Sequence, residues 1–323
     1  MQYRTLGRTG WSVSLLGLGT GGRSQLGQSY ELLPQQSARL VRHALDQGVN
    51  LIDTAPSYGD SETRLGLALD GVARHTYFLS TKFQPHADKD SLHTAQDLRA
   101  SLEQSLETLR TDYVDVFYLH GVGPQAYEAV NERFLPELYK ARDEGLIRAI
   151  GLSERYQSDH THAMAQRAIK DGIYDVLMVG LNLMSPDAVR SVLPLASEYN
   201  IGIVVMCAVR TVLIDPIQRR RFLEGWEREG RLQPGVVDHE TPFDWLLDEH
   251  SPSVSAAAYK FAAAHPAAGS VLTGTASIDH FDENLRAILG PPLPGDCAQR
   301  VLDIFGPVQR NVQPDGTRMT PRR

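Results

Sequence analysis

The sequence predicts an α/β chain that closes into a (β/α)8 barrel, and three observations predict it. Short apolar runs suited to buried strands alternate with stretches of helical apolar spacing, and the pair recurs eight times. Three of those runs lead into ionisable or hydrogen-bonding side chains: Asp53 with Tyr58, then Lys82, then His120. In a closed parallel barrel the strand exits share one face, the face on which barrels carry chemistry. A length of 323 residues with 42% hydrophobic content is enough to bury one large core. The expected organisation is a single domain over 1–306 and a polar, mobile tail over 307–323.

Taken in order, residues 3–13 place Gly7-Arg8-Thr9-Gly10 between two short extended runs, a hairpin ahead of the barrel. The first barrel strand, 14–18, breaks into Gly19-Thr20-Gly21-Gly22, which brings backbone close to a ligand or serves a tight turn. A helix over 35–47 carries Leu40, Val41, Ala44 and Leu45 on one face and ends at Gly48. Leu51-Ile52 is a strand that stops at Asp53, and Pro56, Ser57 and Gly59 supply the turn around Tyr58. A helix over 61–69 and a strand over 77–81 lead to Lys82. The helix over 92–109 aligns Leu98, Leu102, Ser105, Leu106 and Leu109. The strand over 115–119 leads to His120, and a helix over 134–144 is capped by Gly145. There follow a strand at 147–152, a helix at 158–170, a strand at 176–181 and a helix at 189–199. The strand over 201–207 is almost continuously apolar, as expected where both faces are covered. A long irregular loop over 210–252, with helical content near 219–229 and a turn near 243–248, precedes a helix at 254–264. A last strand at 270–272 and a helix at 278–289 complete the series.

Charge narrows the function. A net charge of -7 and a pI near 5.9 argue against a nucleic-acid footprint, and no Lys/Arg stripe with interleaved aromatics occurs. Arg219, Arg220 and Arg221 are offset by Glu224, Glu227 and Glu229. Cys207 and Cys297 lack metal or redox spacing, so neither a disulfide framework nor a zinc site is indicated. His86 with His93, and His160 with His162, resemble metal pairs but lie in polar segments expected to be exposed, with no third ligand. No apolar signal core or membrane span is expected, and a cytoplasmic location fits.

Singly, each candidate has a plain structural reading: Asp53 a turn cap, Tyr58 a rim residue, Lys82 a solvated charge, His120 a satisfied core histidine. In company they carry more. The segments YRTLGRTGWSVSLLGLGTGG, NLIDTAPSYGDSE, STKF, YVDVFYLHG, GLIRAIGLS and VLTGTASIDHFDENL, in this order and spacing, resemble the aldo-keto reductases over about residues 1–290. The segment from 210 to 252 matches poorly, and AVRTVL leans toward the sugar and aryl-alcohol dehydrogenase-like branch. The resemblance implies a (β/α)8 TIM barrel with an N-terminal β-hairpin and a long loop after strand 7, and an NADPH cofactor, with NAD as the alternative. It further implies hydride transfer between nicotinamide and an aldehyde, ketone or sugar carbonyl.

By that resemblance the catalytic residues are Asp53, Tyr58, Lys82 and His120. A phenol with an ordinary pKa near 10 becomes a competent acid when a cation stabilises its phenolate. Lys82 would supply the cation, Asp53 would hold it, and His120 would orient the carbonyl oxygen. Gly19, Thr20 and Gly21 match the first cofactor-contacting turn, and Ser153 matches half of a Ser-Asn pair that holds the nicotinamide amide. Glu154 replaces the Asn, and Met178 stands where relatives carry Gln. The aromatic that stacks on the nicotinamide is absent after strand 7, where Arg210 offers another contact. Gly274, Thr275 and Ser277 match the adenosine phosphate loop, with His280, Glu283 and Asn284 facing the adenosine; the alternative for Ser277 and Asn284 is helix capping alone. Substrate choice falls to loops 25–33, 121–131 and 210–252. A second reading keeps the barrel and cofactor as a regulatory module with little turnover. A lyase or hydrolase lacks its paired carboxylates or metal set here.

Overall fold

The computed structural model describes residues 1–88 and 91–310. Strands β1 (Tyr3–Thr5) and β2 (Ser12–Ser14) form the expected antiparallel hairpin, with Tyr3 opposite Ser14. Ser14 therefore belongs to the hairpin, and the first barrel strand starts later than its apolar run suggested. The hairpin closes one end of the barrel. Gly7, at φ +48°, lies so close to Gly202 that a Cβ there would come within 2.1 Å of the Gly202 nitrogen, so only glycine lets the two backbones meet.

Eight strands complete a closed parallel barrel: β3 (Leu16–Gly19), β4 (Leu51–Asp53), β5 (Phe78–Phe83), β6 (Val114–Val122), β7 (Ile147–Glu154), β8 (Val176–Gly180), β9 (Gly202–Met206) and β10 (Ala268–Thr273). They pair in chain order, and β10 pairs with both β9 and β3. Alternation along the strands sorts their side chains. Leu51, Val116, Tyr118, Ala149, Val176, Met178 and Val204 fill the interior above Leu6 and Val13 of the hairpin. Ile52, Phe117, Ile150, Leu152, Leu177 and Ile203 face the helices.

Those helices are α1 (Pro34–Asp46), α2 (Ser61–Ala68), α3 (Ala95–Leu109), α4 (Tyr127–Asp143), α5 (Ala163–Asp171), α6 (Ala188–Ser191), α7 (Leu193–Glu198), α8 (Thr211–Ile214), α9 (Pro216–Arg228), α10 (Val254–Ala263), α11 (Ile278–Leu289) and α12 (Gly295–Arg310). Local chemistry moves several boundaries from their expected places. α3 begins at Ala95 because Thr94 caps it: the Asp97 N–H donates to Thr94 Oγ1, and the Asp97 carboxylate accepts from the Thr94 N–H. The single helix expected over 189–199 breaks at Val192, with Pro194 in the first turn of α7, where its missing N–H costs no bond. Part of the expected loop over 121–131 joins α4, and the irregular segment after β9 holds α8 and α9, the latter capped by Asp215.

The largest correction is at the C-terminus. The tail expected to begin after residue 306 is preceded by a helix that runs through it to Arg310, with Val301, Phe305 and Val308 fully buried. Their spacing of four and three is helical, but Gly295, Gly306 and Pro307 read as punctuation. The remainder of that tail, residues 311–323, lies outside the described residues. Among the described residues no helix is long and apolar enough to cross a membrane. Phe305 packs with Phe243 of the long segment after β9, ring centroids 5.5 Å apart. Phe305→Ala is therefore expected to lower stability by about 3 kcal/mol in urea unfolding, as a core aromatic does, whereas a residue of a loose tail would leave the midpoint unchanged.

Candidate active site

Four strands deliver the site. β3 ends at Gly19 opposite Asp53 of β4, Asp53 lies opposite Ser80 of β5, and Lys82 lies opposite Tyr118 of β6. Lys82 and His120 sit within the last residues of their strands, not beyond them, so their positions are set by the sheet itself. Lys82 is only 1% exposed and Asp53 3%. The Lys82 ammonium donates to Asp53 Oδ2 at 2.6 Å and to the Thr54 carbonyl at 2.7 Å, and Ser80 Oγ donates to Asp53 Oδ1 at 2.7 Å. Two of the three acceptors that a buried ammonium needs are thus built in.

Tyr58 leans over this pair. Its ring centroid is 4.8 Å from Lys82 Nζ, and the His120 ring meets it edge-on, 5.8 Å between centroids at 86°. The loop carrying Tyr58 is strapped down by Gln28: its Nε2 donates to the Tyr58 carbonyl at 3.0 Å, and its Oε1 accepts from the Asp60 N–H at 2.7 Å. On the other side Gly21 leaves room for the ring, since a Cβ there would stand 2.7 Å from two of its carbons. The sequence pointed to Gly21 but gave no signal for Gln28, whose role depends on a loop conformation.

Electrostatics assign protonation. Burial works against the charge on Lys82, but the Asp53 carboxylate and the Tyr58 hydroxyl outweigh it and hold the amine above its ordinary pKa. Burial raises the Tyr58 phenol; Lys82 pulls it down, Asp53 lifts it again, and the net direction is up, so the phenol holds its proton at neutral pH. Burial, reinforced by the Lys82 charge, pushes His120 down to about 3. His120 is then a neutral imidazole. The arrangement brings together a proton-bearing phenol, a fixed cation beside it and an uncharged hydrogen-bonding ring.

The opposite wall differs from expectation. Ser153 and Met178 lie opposite each other in the β7–β8 register and share the interior-facing alternation of Ala149 and Val176. Glu154, expected to face the cofactor beside Ser153, falls on the outward alternation of Ile150 and Leu152, and both its oxygens are taken. Oε1 accepts from the Gly180 N–H at 2.6 Å, and Oε2 bonds His162 Nδ1 at 2.8 Å. His162, set in a segment expected to be exposed, is completely buried. Tyr156 was not singled out; its ring packs against Gly180, where a Cβ would come within 2.1 Å of it, and Asn182 Nδ2 donates to its hydroxyl at 2.8 Å. The Arg210 guanidinium stands 5.6 Å from the Tyr156 ring centre.

The remaining expected positions gather where β10 meets β3. A Cβ on Gly274 would stand 3.4 Å from the Gly21 carbonyl oxygen, so the two glycine turns abut. Thr20 Oγ1 donates to Thr54 Oγ1 at 2.9 Å, and the Ser277 N–H donates to Thr275 Oγ1 at 3.1 Å. Ser277 caps α11 by accepting from the His280 N–H, and Asn284 donates to Thr273 Oγ1 at 2.9 Å. His280 and Glu283 are exposed. Because His120 is uncharged above about pH 3, no limb from its titration is expected between pH 5 and 8 in the pH profile of kcat/KM for carbonyl reduction. A limb in that range that disappears in His120→Asn would contradict this assignment.

Known proteins resemble this chain over most of its length. The chain is 25% identical over 325 residues to L-galactose dehydrogenase of Arabidopsis thaliana, with 98% of each chain covered. It is 28% identical over 293 residues to D-threo-aldose 1-dehydrogenase of a Pseudomonas species, covering 82% of this chain and 86% of the relative. A solved structure of an aldo-keto reductase from Pseudomonas aeruginosa superposes with a TM-score of 0.64 at 27% identity, covering 93% of this chain and 95% of that one. The model of the Aldo/keto reductase family matches residues 15–301, which hold all eight barrel strands, and the chain belongs to that family.

Proposed function

We propose that this chain is an NADPH-preferring oxidoreductase that transfers a hydride between nicotinamide and an aldehyde, ketone or sugar carbonyl, with Tyr58 as general acid and base. The observation that carries the reading is the Tyr58 phenol set against a buried, doubly anchored ammonium. A phenol facing an Asp-held lysine is a group arranged to give up a proton and take it back. Names of relatives point to sugars within this class: one is an L-galactose dehydrogenase and another a D-threo-aldose 1-dehydrogenase. A cytoplasmic location is part of this proposal and suits the two free cysteines Cys207 and Cys297.

A bound nicotinamide cofactor supplies or accepts the hydride. The seam between the β3 and β10 exits fits such a group: Gly274 is exposed where it abuts the Gly19 and Gly21 turn, and the capped start of α11 offers backbone amides suited to phosphate. Thr20, Thr275 and Ser277 line that seam. Ser153, Met178 and Arg210 would hold the nicotinamide end, and His280, Glu283 and Asn284 the adenosine end. In reduction, Tyr58 donates its proton to the carbonyl oxygen while the neutral His120 orients that oxygen. Lys82 stabilises the phenolate that results, and Asp53 keeps Lys82 charged. In oxidation of a sugar hydroxyl the phenolate takes the proton back.

Tyr58→Phe is expected to bind cofactor as the wild type does and to lose roughly 10²- to 10⁴-fold in kcat, the range of one general acid. Normal turnover by that variant would remove Tyr58 from the mechanism. Cofactor choice is tested by fluorescence titration. The nearest basic side chains to the adenosine end are His280 and Arg286, with Asp279 and Glu283 beside them, so NADPH is expected to bind more tightly than NADH by no more than about tenfold. Tighter binding of NADH would reverse the preference and identify the two carboxylates as repelling the 2′-phosphate.

A further inference from the structure

Outside the catalytic four, the described residues hold one fully buried acid and histidine in direct contact. Glu154 and His162 both have side chains with no exposure at all, and they meet at 2.8 Å. Two features show that the surrounding backbone is built for this contact. His162 adopts a left-handed conformation, φ 56° and ψ 33°, which costs a residue with a Cβ, at the position that would ordinarily cap α5. The capping is done by Asp159, whose carboxylate accepts from the N–H groups of Ala163 and Met164, both at 2.9 Å. The His162 ring is thereby free to turn inward to Glu154, leaving its Nε2 without a partner.

The other oxygen of Glu154 reaches sideways. The last register pair of β7 and β8 is Ser153 with Met178, and two residues beyond Met178 the Gly180 N–H donates to Glu154 Oε1 at 2.6 Å. A side chain from β7 therefore extends the ladder where its backbone pairing stops. Gly180 is also the residue on which Tyr156 rests, and the Tyr156 hydroxyl is bonded by Asn182, which donates in turn to the Cys207 carbonyl at 3.2 Å. The exits of β7, β8 and β9 are thus joined from both sides: by Glu154 on the outward alternation, and by Tyr156, which covers Gly180 on the inward alternation of Met178, with Asn182.

We infer that Glu154 is a positioning residue: held by His162, its carboxylate clips the ends of β7 and β8 together and so fixes Ser153 and Met178 at the spacing that receives the nicotinamide. This rests on the oxidoreductase reading above, and it replaces the cofactor contact expected of Glu154 with a role exerted from behind.

The test compares Glu154→Ala and Glu154→Gln with the wild type by fluorescence titration with NADPH, where Kd is expected to move as KM does, and in steady-state kinetics with NADPH and a simple aromatic aldehyde. Alanine removes both contacts and is expected to raise KM for NADPH about tenfold, the order of one charge-assisted hydrogen bond, with a smaller fall in kcat because Tyr58 and Lys82 are untouched. Glutamine keeps an acceptor for the Gly180 N–H and is expected to recover most of that loss, which general damage to the fold would not do. Should the alanine variant fail to fold, His162→Asn serves instead, since asparagine tolerates the left-handed backbone while removing the ring; a rise in KM of several-fold is expected. An unchanged KM in a folded Glu154→Ala variant, or equal damage from alanine and glutamine, overturns the clip while leaving the enzyme reading intact. Failure of the wild type to bind either nicotinamide cofactor overturns both.

Discussion

The ammonium of Lys82 under the barrel mouth is the constraint around which this end of the molecule is arranged. A lysine amine 1% exposed is stable as a cation only where acceptors are already in place, and here they come from two directions. Asp53 arrives from the neighbouring strand and is itself held by Ser80; the Thr54 carbonyl is presented by the chain just beyond Asp53. Neither could be supplied by a loop free to move. The strand register therefore does electrostatic as well as structural duty, and Tyr58 needs only to be brought to a charge whose position the sheet has set.

The two walls of the mouth are built by different means. The Asp53, Lys82 and His120 side places its polar groups by strand register, so their chemistry follows from position in the sheet. The β7, β8 and β9 side lacks polar side chains pointing inward at Met178 and Gly180, and its order comes from behind and above: Glu154 with His162, Tyr156 on Gly180, Asn182 on the Cys207 carbonyl. Gly180 makes this possible, because any side chain there would occupy the volume of the Tyr156 ring.

This difference also explains what could be read in the sequence. The barrel was legible because its strands are short apolar runs at regular intervals, and Asp53, Lys82 and His120 were legible because each stands near a strand end, with Tyr58 on the loop after Asp53, in motifs of distinctive order. Gln28, Tyr156 and His162 were not, since each acts through a loop whose path no local spacing encodes. His162 in particular lies in a polar stretch that reads as surface, and only its left-handed backbone turns it inward. Glu154 was found but given the wrong direction: alternation along β7 sends it outward, a parity that becomes certain only when the register with β8 is known. The helix at the C-terminus was hidden by Gly306 and Pro307, though its apolar spacing was present throughout.

The pairing of β10 with β3 carries a consequence for how the molecule is made. The strand laid down first in the barrel can find its second neighbour only after more than two hundred further residues have left the ribosome. Until then β3 and β9 each present an unpaired edge, and the glycine turns that abut across the seam have nothing to abut. Asp53, Tyr58, Lys82 and His120 are all synthesised early, within the first 120 residues. The nascent chain thus holds its chemistry well before it holds the opposing wall and the seam, and contacts of such long sequence separation make barrel closure a slow step, with edge-to-edge association as its competing fate.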